Sequence, residues 1–286
     1  GVGAAGRWLL GVAVICGLEA PGRVVDAQGT VVSMGPDMVW IEAGWFIRGS
    51  DADDLRHALM LCRHQARTLG RKPLECDQLS PLFAAEAPAT RIYLSRFGMD
   101  RTEVTRRRWD VCVRAGRCPP SRIPASDPRF GDPEMPVAGI TWSEARQYCA
   151  FAGGHLPSEA QWERAARGSV PRRFPWGQQF NDRLANLAGA LDGFRTLAPV
   201  GSFANARSPA GLLDAAGNVS EWTADAFSPD GYSSEERIDP APNDSGGPRV
   251  VRGGSWRSEP YAARTAFRWP APASSQGPDI GVRCAY

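Results

Sequence analysis

Histidine is scarce in this chain: its 286 residues hold three, His57, His64 and His155. A catalytic metal site built from several imidazoles has little to draw on. No Cys-x-x-Cys pair occurs, which argues against a thiolate zinc site. Neither sign of charge is in excess, with 33 Lys and Arg against 31 Asp and Glu, so nothing marks a nucleic-acid binder. Internal repeats are absent, and so is an apolar run long enough to span a bilayer comfortably. The one apolar run near the N-terminus, Trp8–Leu18, follows Arg7 and precedes the small-residue stretch Val25-Asp26-Ala27. That pattern predicts an export signal over residues 1–27, cleaved before Gln28, and then a linker over 28–38. Cys16 is a poor lipidation site because Ile15 before it is bulky. Contact with a membrane is expected only through this segment, if it stays uncleaved.

What is abundant is glycine and tryptophan, 31 and 10 residues. Together they predict a loop-rich fold in which aromatic side chains supply much of the buried area. The stretch from Pro136 to Gly168 organises the rest. Pro136–Ile140 is short, apolar and β-branched, and reads as a buried strand. Thr141 with Glu144, and Ser158 with Gln161, each form a capping-box pattern at the start of a helix. Ala145, Tyr148, Cys149 and Ala152 share one face of the first helix, and Trp162, Ala165 and Ala166 one face of the second. Gly153-Gly154 and Gly168 end them. Upstream, Val39–Gly49 reads as a hairpin-like opening. Ser50–Leu69 reads as a helix with an acidic start and a stripe of Leu55, Leu59, Cys62, Ala66 and Leu69. Arg91–Thr105 reads as strand, with Thr105 capping a helix that buries Trp109, Cys112 and Val113. Ser121–Glu134 and Phe227–Pro248 read as loops, the second a candidate insertion.

The central block resembles the signature of the sulfatase-modifying-factor family, to which the formylglycine-generating enzyme belongs. Further blocks stand in that family's order: FPWG at Phe174–Gly177, AN at Ala185–Asn186, APVGSF at Ala198–Phe203, GLLDAAGNVSEW at Gly211–Trp222, RVVRGGSW at Arg249–Trp256, and GVRCAY at the C-terminus. The resemblance runs over residues 39–286. It implies one compact, loop-rich α+β domain of mixed architecture, related in appearance to C-type-lectin-like domains. It also implies a bridge between Cys149 and Cys284. Sequence proximity then pairs Cys112 with Cys118 and Cys62 with Cys76; of the seven cysteines Cys16 would leave with the signal, and the even six that remain suit an exported chain. Two structural calcium sites are implied as well. Asn186, Leu187, Asp192 and Phe194 match the first, with Leu187 and Phe194 offering carbonyls. Gly217, Asn218, Val219 and Glu221 match the second, with Asn218 and Glu221 offering side-chain oxygens.

The family enzyme oxidises a substrate cysteine through a cysteine pair that binds copper(I), placed just after the GGS motif. Here the segment from Gly253 to Arg264 contains no cysteine, so neither copper nor formylglycine production is expected. The iron-dependent branches need a histidine triad. His57 and His64 could share a helical face, but no third ligand is near them in sequence. Ser158 suits a helix cap better than a nucleophile, which needs an exposed elbow. Ser255, Trp256, Arg257, Ser258, Glu259 and Tyr261 fall where the family's groove begins. Such a polar and aromatic lining suits binding of a peptide or sugar. The leading expectation is therefore an exported, periplasmic or secreted, non-catalytic module for a protein or glycan partner. An oxidoreductase of another kind, such as a periplasmic tailoring enzyme of siderophore maturation, is the alternative. A structural module of an envelope assembly is the third.

Overall fold

The computed structural model describes residues 37–286 apart from 69, 71–73, 190, 234 and 236, together with the backbone of residues 23–25 and 31–33. The expected export signal and linker thus lie almost wholly outside the described residues. What is described there is an antiparallel pair, β1 (Arg23–Val25) and β2 (Val31–Ser33).

Val39–Gly49 forms two strands, β3 (Met38–Ile41) and β4 (Gly44–Arg48), but they do not pair with each other as the hairpin expectation had it. The long strand expected next breaks at Ser95-Arg96 into β5 (Thr90–Leu94) and β6 (Phe97–Asp100). β3 pairs antiparallel with β6, and β4 with β5. The distant partners win because they complete an apolar cluster: Val39, Ile41 and Phe46 meet Ile92, Leu94, Phe97 and Met99 beneath Trp162.

Between β4 and β5 stand α1 (Ala52–Thr68), α2 (Leu74–Asp77) and α3 (Ser80–Ala84). Asp51 opens α1 by accepting the backbone N–H groups of Asp53 and Asp54, each at 2.9 Å. Ala58, Cys62 and Ala66 are its buried residues, with Leu55 and Leu59 packed alongside; Leu69 lies outside the described residues.

Three further caps are as expected. Thr105 accepts the Arg108 N–H to start α4 (Arg106–Arg114). Thr141 with Glu144 and Ser158 with Gln161 form complete capping boxes on α5 (Trp142–Phe151) and α6 (Glu159–Arg167). Gly168 ends α6 at φ 83°, a left-handed conformation that glycine adopts without strain. Pro136–Ile140, however, is not a strand. It makes one bridge, Pro136 to Thr105, and one ladder-like bond, Val137 N–H to the Val104 carbonyl at 2.8 Å. Proline has no N–H to offer a ladder, and Gly139 at φ 72° turns the chain away. The segment is nonetheless buried, as its apolar composition requires.

The main sheet runs β10 (Trp269–Ala271), β9 (Arg249–Arg252), β7 (Ser220–Ala226), β11 (Ile280–Gly281). β9 is antiparallel to both neighbours, and β11 is parallel to β7. The expected loop Phe227–Pro248 carries one short strand, β8 (Arg237–Ile238), which extends β5 in parallel. α5 and α4 pack on the sheet around Trp109, Tyr148 and Trp222, all fully buried, with Trp109 and Tyr148 stacked at 5.2 Å. The three disulfides are Cys62–Cys76, Cys112–Cys118 and Cys149–Cys284, as expected. Bridges of this kind persist in extracellular and periplasmic compartments. Among the described residues no helix is long and apolar enough to cross a membrane.

Candidate functional site

β9 leads into the groove. Its last residue, Arg252, is fully buried and held by Glu159 at 3.0 Å, Glu163 at 2.6 Å, and the carbonyls of Thr265 and Ala266. The chain then turns through Gly253 and Gly254, both left-handed, where a Cβ on Gly254 would meet the Ala262 carbonyl at 3.0 Å. Ser255 to Ser258 form a compact loop. Ser255 N–H donates to Ser258 Oγ at 2.9 Å, Ser258 N–H donates to the Ser255 carbonyl at 2.8 Å, and the two hydroxyls lie 3.2 Å apart. The loop borders a cavity of about 430 Å³.

Five of the six expected groove residues line that cavity: Ser255, Arg257, Ser258, Glu259 and Tyr261. Asp279 adds a second carboxylate, and Val251, Phe267, Trp269 and Ile280 add apolar wall, with Trp269 43% exposed. Trp256 does not line it. Its indole packs against Phe130, ring centres 6.0 Å apart, and donates to the Pro278 carbonyl at 3.2 Å. The backbone alternates sides, and the side away from the groove offers an apolar bed of Ala138, Leu197 and Val219.

No cysteine borders this cavity, and every cysteine among the described residues is disulfide-bonded. None of the histidines borders it either. His57 packs edge-on to Phe174 on α1, where burial lowers its pKa. His64 lines another cavity, and His155 bridges Ala285. Ser255 thus has no histidine beside it, and Ser158 is occupied as a cap. The cavity offers hydroxyls, carboxylates, a guanidinium and aromatic faces, groups that suit contact with a polar chain.

The loops behind the groove hold the residues matched to calcium sites. In the first set, Asp192 accepts the N–H groups of Leu187 at 2.9 Å and Phe194 at 2.8 Å, while Asn186 Oδ1 is buried without any hydrogen-bond partner. A buried amide oxygen with no donor is an acceptor of the kind a hard cation uses. The second set does not converge on a cation. Glu221 is the counter-ion of buried Arg283, its two oxygens 2.6 and 2.7 Å from that guanidinium, and it also accepts Trp162 Nε1–H at 2.6 Å. Asn218 Oδ1 already accepts from Ala198 N–H at 2.9 Å and from Asn186 Nδ2 at 3.2 Å. Gly217 bridges Asn186, and Val219 lies in the apolar bed of Trp256.

Close to Glu221 lies a pair that the sequence reading missed, Glu103 and Asp214. Glu103 is fully buried and Asp214 is 3% exposed. Both Glu103 oxygens and Asp214 Oδ1 lack a hydrogen-bond donor. The other Asp214 oxygen accepts Gly201 N–H. Burial pushes the Glu103 carboxyl well above the usual carboxylate range, and the charge of Asp214 pushes it further. Burial also raises Asp214, whose side chain meets that of Glu103. Two carboxylates cannot donate to each other, so such a contact needs a shared proton or a cation between them. Among the described residues no cluster of three or more His, Cys, Asp or Glu could hold a metal, so a cation here would also need backbone carbonyls. The sequence carries no signal that joins the pair, a Glu and an Asp 111 positions apart.

Comparison with known proteins followed these features. The family described as sulfatase-modifying factor enzyme 1-like domain matches residues 25–286. The formylglycine-generating enzyme of Streptomyces coelicolor is 37% identical over 171 residues, 54% of each chain. The inactive C-alpha-formylglycine-generating enzyme 2 of Mus musculus is 36% identical over 166 residues, 53% of this chain and 49% of that protein. The chain thus spans about half the length of the curated relatives it matches. Among solved structures, PvdO from Pseudomonas aeruginosa superposes with a TM-score of 0.67 at 25% identity, over 93% of this chain and 98% of PvdO.

Proposed function

As a member of the sulfatase-modifying factor family, the chain carries the family's fold with a groove of its own, and we propose that it is a non-catalytic binding module. It is exported to the periplasm or beyond, and the groove at Ser255–Tyr261 takes a protein or glycan partner. One observation carries this reading. The wall that follows Gly253-Gly254 holds serines, an arginine and a glutamate but no cysteine, and the described cysteines are all locked in disulfides. Thiolate-copper oxidation has no ligand there. Exposed Trp269 and the aromatic ring of Tyr261 give a sugar or peptide flat apolar area, while Arg257, Glu259 and Asp279 fix its orientation. Calcium, bound by Asn186, Asp192 and nearby carbonyls and by the Glu103–Asp214 pair, holds the loops behind the groove.

Screening of the full chain against glycan and peptide libraries tests the reading. The expected result is saturable binding that falls at least about tenfold in the double variant Arg257→Ala, Glu259→Ala without loss of fold. Ligands whose affinity ignores both changes, or no ligand in either library, would sink the groove as the binding surface. Turnover of a bound ligand would return the oxidoreductase alternative.

A further inference from the structure

A separate cavity of about 440 Å³ shares no lining residue with the groove. Its floor is Arg48, Glu159, Asp225 and Arg268, and its roof is Phe227–Pro248, contributing Tyr232, Arg237 and the Pro240-Ala241-Pro242 turn. The roof is tied down along its length. Tyr232 N–H donates to the Ala87 carbonyl at 2.9 Å, and Thr90 Oγ1 to the Ser233 carbonyl at 3.0 Å. β8 pairs with β5, Ser95 bonds Asp239 through its N–H and hydroxyl at 2.7 Å each, and Asn243 N–H donates to Asp225 at 2.9 Å. The cavity is preformed.

Three arginines, Arg48, Arg237 and Arg268, and three carboxylates, Glu159, Asp225 and Asp244, line it, but they are not paired one to one. Buried arginines 252, 264, 268 and 283 each have a carboxylate partner. Arg48, at the end of β4 and only 9% exposed, has none among the described residues. Its guanidinium lies 3.9 Å over the Tyr232 ring, a stacking contact that satisfies no N–H, and its Nε is buried without a hydrogen-bond partner. The local acids are already committed. Glu159 binds Arg252, Arg268 and the Tyr232 hydroxyl, Asp225 accepts the N–H groups of Glu159 and Asn243, and Asp244 accepts from Arg249 at 2.8 Å. At the same cavity stands Arg237, 3.9 Å from the exposed carboxylate of Glu235.

We propose that this cavity is an oxyanion-binding site, with Arg48 as its anchor and Arg237 as its second cation, for the carboxylate or phosphate group of a small molecule. A buried guanidinium with unanswered donors is costly unless an anion supplies the acceptors. Its planar fork suits two-oxygen recognition of carboxylate or phosphate. Stacking on Tyr232 fixes the plane of that fork in advance. The Pro240-Ala241-Pro242 rim and Gly231 leave room for an organic body without demanding polar contacts. The site stands independently of the groove and of what the groove binds.

Calorimetric titration of the full chain with inorganic phosphate, and separately with succinate, tests this, with ionic strength held constant so that general screening does not contribute. Saturable binding of at least one anion is expected, weakened at least about tenfold by Arg48→Met. Because Arg48→Met removes a buried charge and could disturb folding, Ala241→Trp serves as a second variant. It keeps Arg48 and fills the rim, and it should abolish binding while the thermal midpoint stays native. Phosphate alone would identify phosphoryl ligands, succinate alone carboxylates, and both a general oxyanion site. Absence of saturable binding by either anion, or binding unchanged in either folded variant, overturns the proposal.

Discussion

Burial without a partner separates candidate ligand groups here more clearly than residue type does. Glu221 looks like a cation ligand on paper, yet Arg283 occupies both its oxygens. Glu103 and Asp214 look unremarkable on paper, yet their oxygens are buried and unanswered. Calcium bridging that pair should raise stability, so a chelator is expected to lower the thermal midpoint of the wild type. Asp214→Asn should remove most of that response, since asparagine tolerates the φ of 53° but carries no charge. A midpoint indifferent to chelator would remove calcium from the account. Asp225 makes a second prediction. Burial, then the charge of Glu159, raises its pKa to about 6 from an ordinary 3.8. The folded state therefore holds this proton more tightly than the unfolded state. Its contribution to stability is fully present below the unfolded value of 3.8 and is lost as pH rises through about 6. Asp225→Asn should gain on the wild type across that window by on the order of 2–3 kcal/mol, read from denaturant midpoints at several pH values. A parallel pH profile for both proteins would show that Asp225 titrates normally.

Elements differ in how far they could be read from the sequence, and the division follows the range of the forces that make them. Helix starts are local. Thr105, Thr141 and Ser158 bond to N–H groups three residues away, so a short window of sequence contains the whole interaction. Strand pairing is not local. β3 and β4 adjoin in sequence, but their partners lie some fifty residues on, beyond α1–α3, and only the assembled cluster around Trp162 selects them. The misread strand at Pro136–Ile140 has the same origin: apolar composition reports burial, while the missing proline N–H decides against a ladder. Groove residues were legible by motif, Trp256 excepted, because a motif gives order along the chain and not the side to which an indole turns. At this scale the prediction is for the cap of α6. Ser158→Ala should cost about 1 kcal/mol in chemical denaturation and leave ligand binding at the groove intact. A loss of binding with unchanged stability would instead assign Ser158 a chemical role.

The whole molecule is a family fold in which buried ion pairs, besides apolar packing, join distant parts of the chain. Arg252, Arg264, Arg268 and Arg283 pair with Glu159, Glu163, Glu86 and Glu221 from distant parts of the chain, under 4% exposed throughout. Those pairs, with the Cys149–Cys284 bridge from α5 to the C-terminus, fix β9 and the turn that opens the groove. A scaffold of this kind can hold a groove in position whatever chemistry lines it, which is how one fold comes to serve different ends. The most direct test is mass spectrometry of a cysteine-containing sulfatase-motif peptide after incubation with the chain, copper and oxygen. The peptide should keep its cysteine, with no formylglycine formed at any time point. Conversion of that cysteine to formylglycine would contradict the account at its centre, because it would require a thiol site that the groove does not contain.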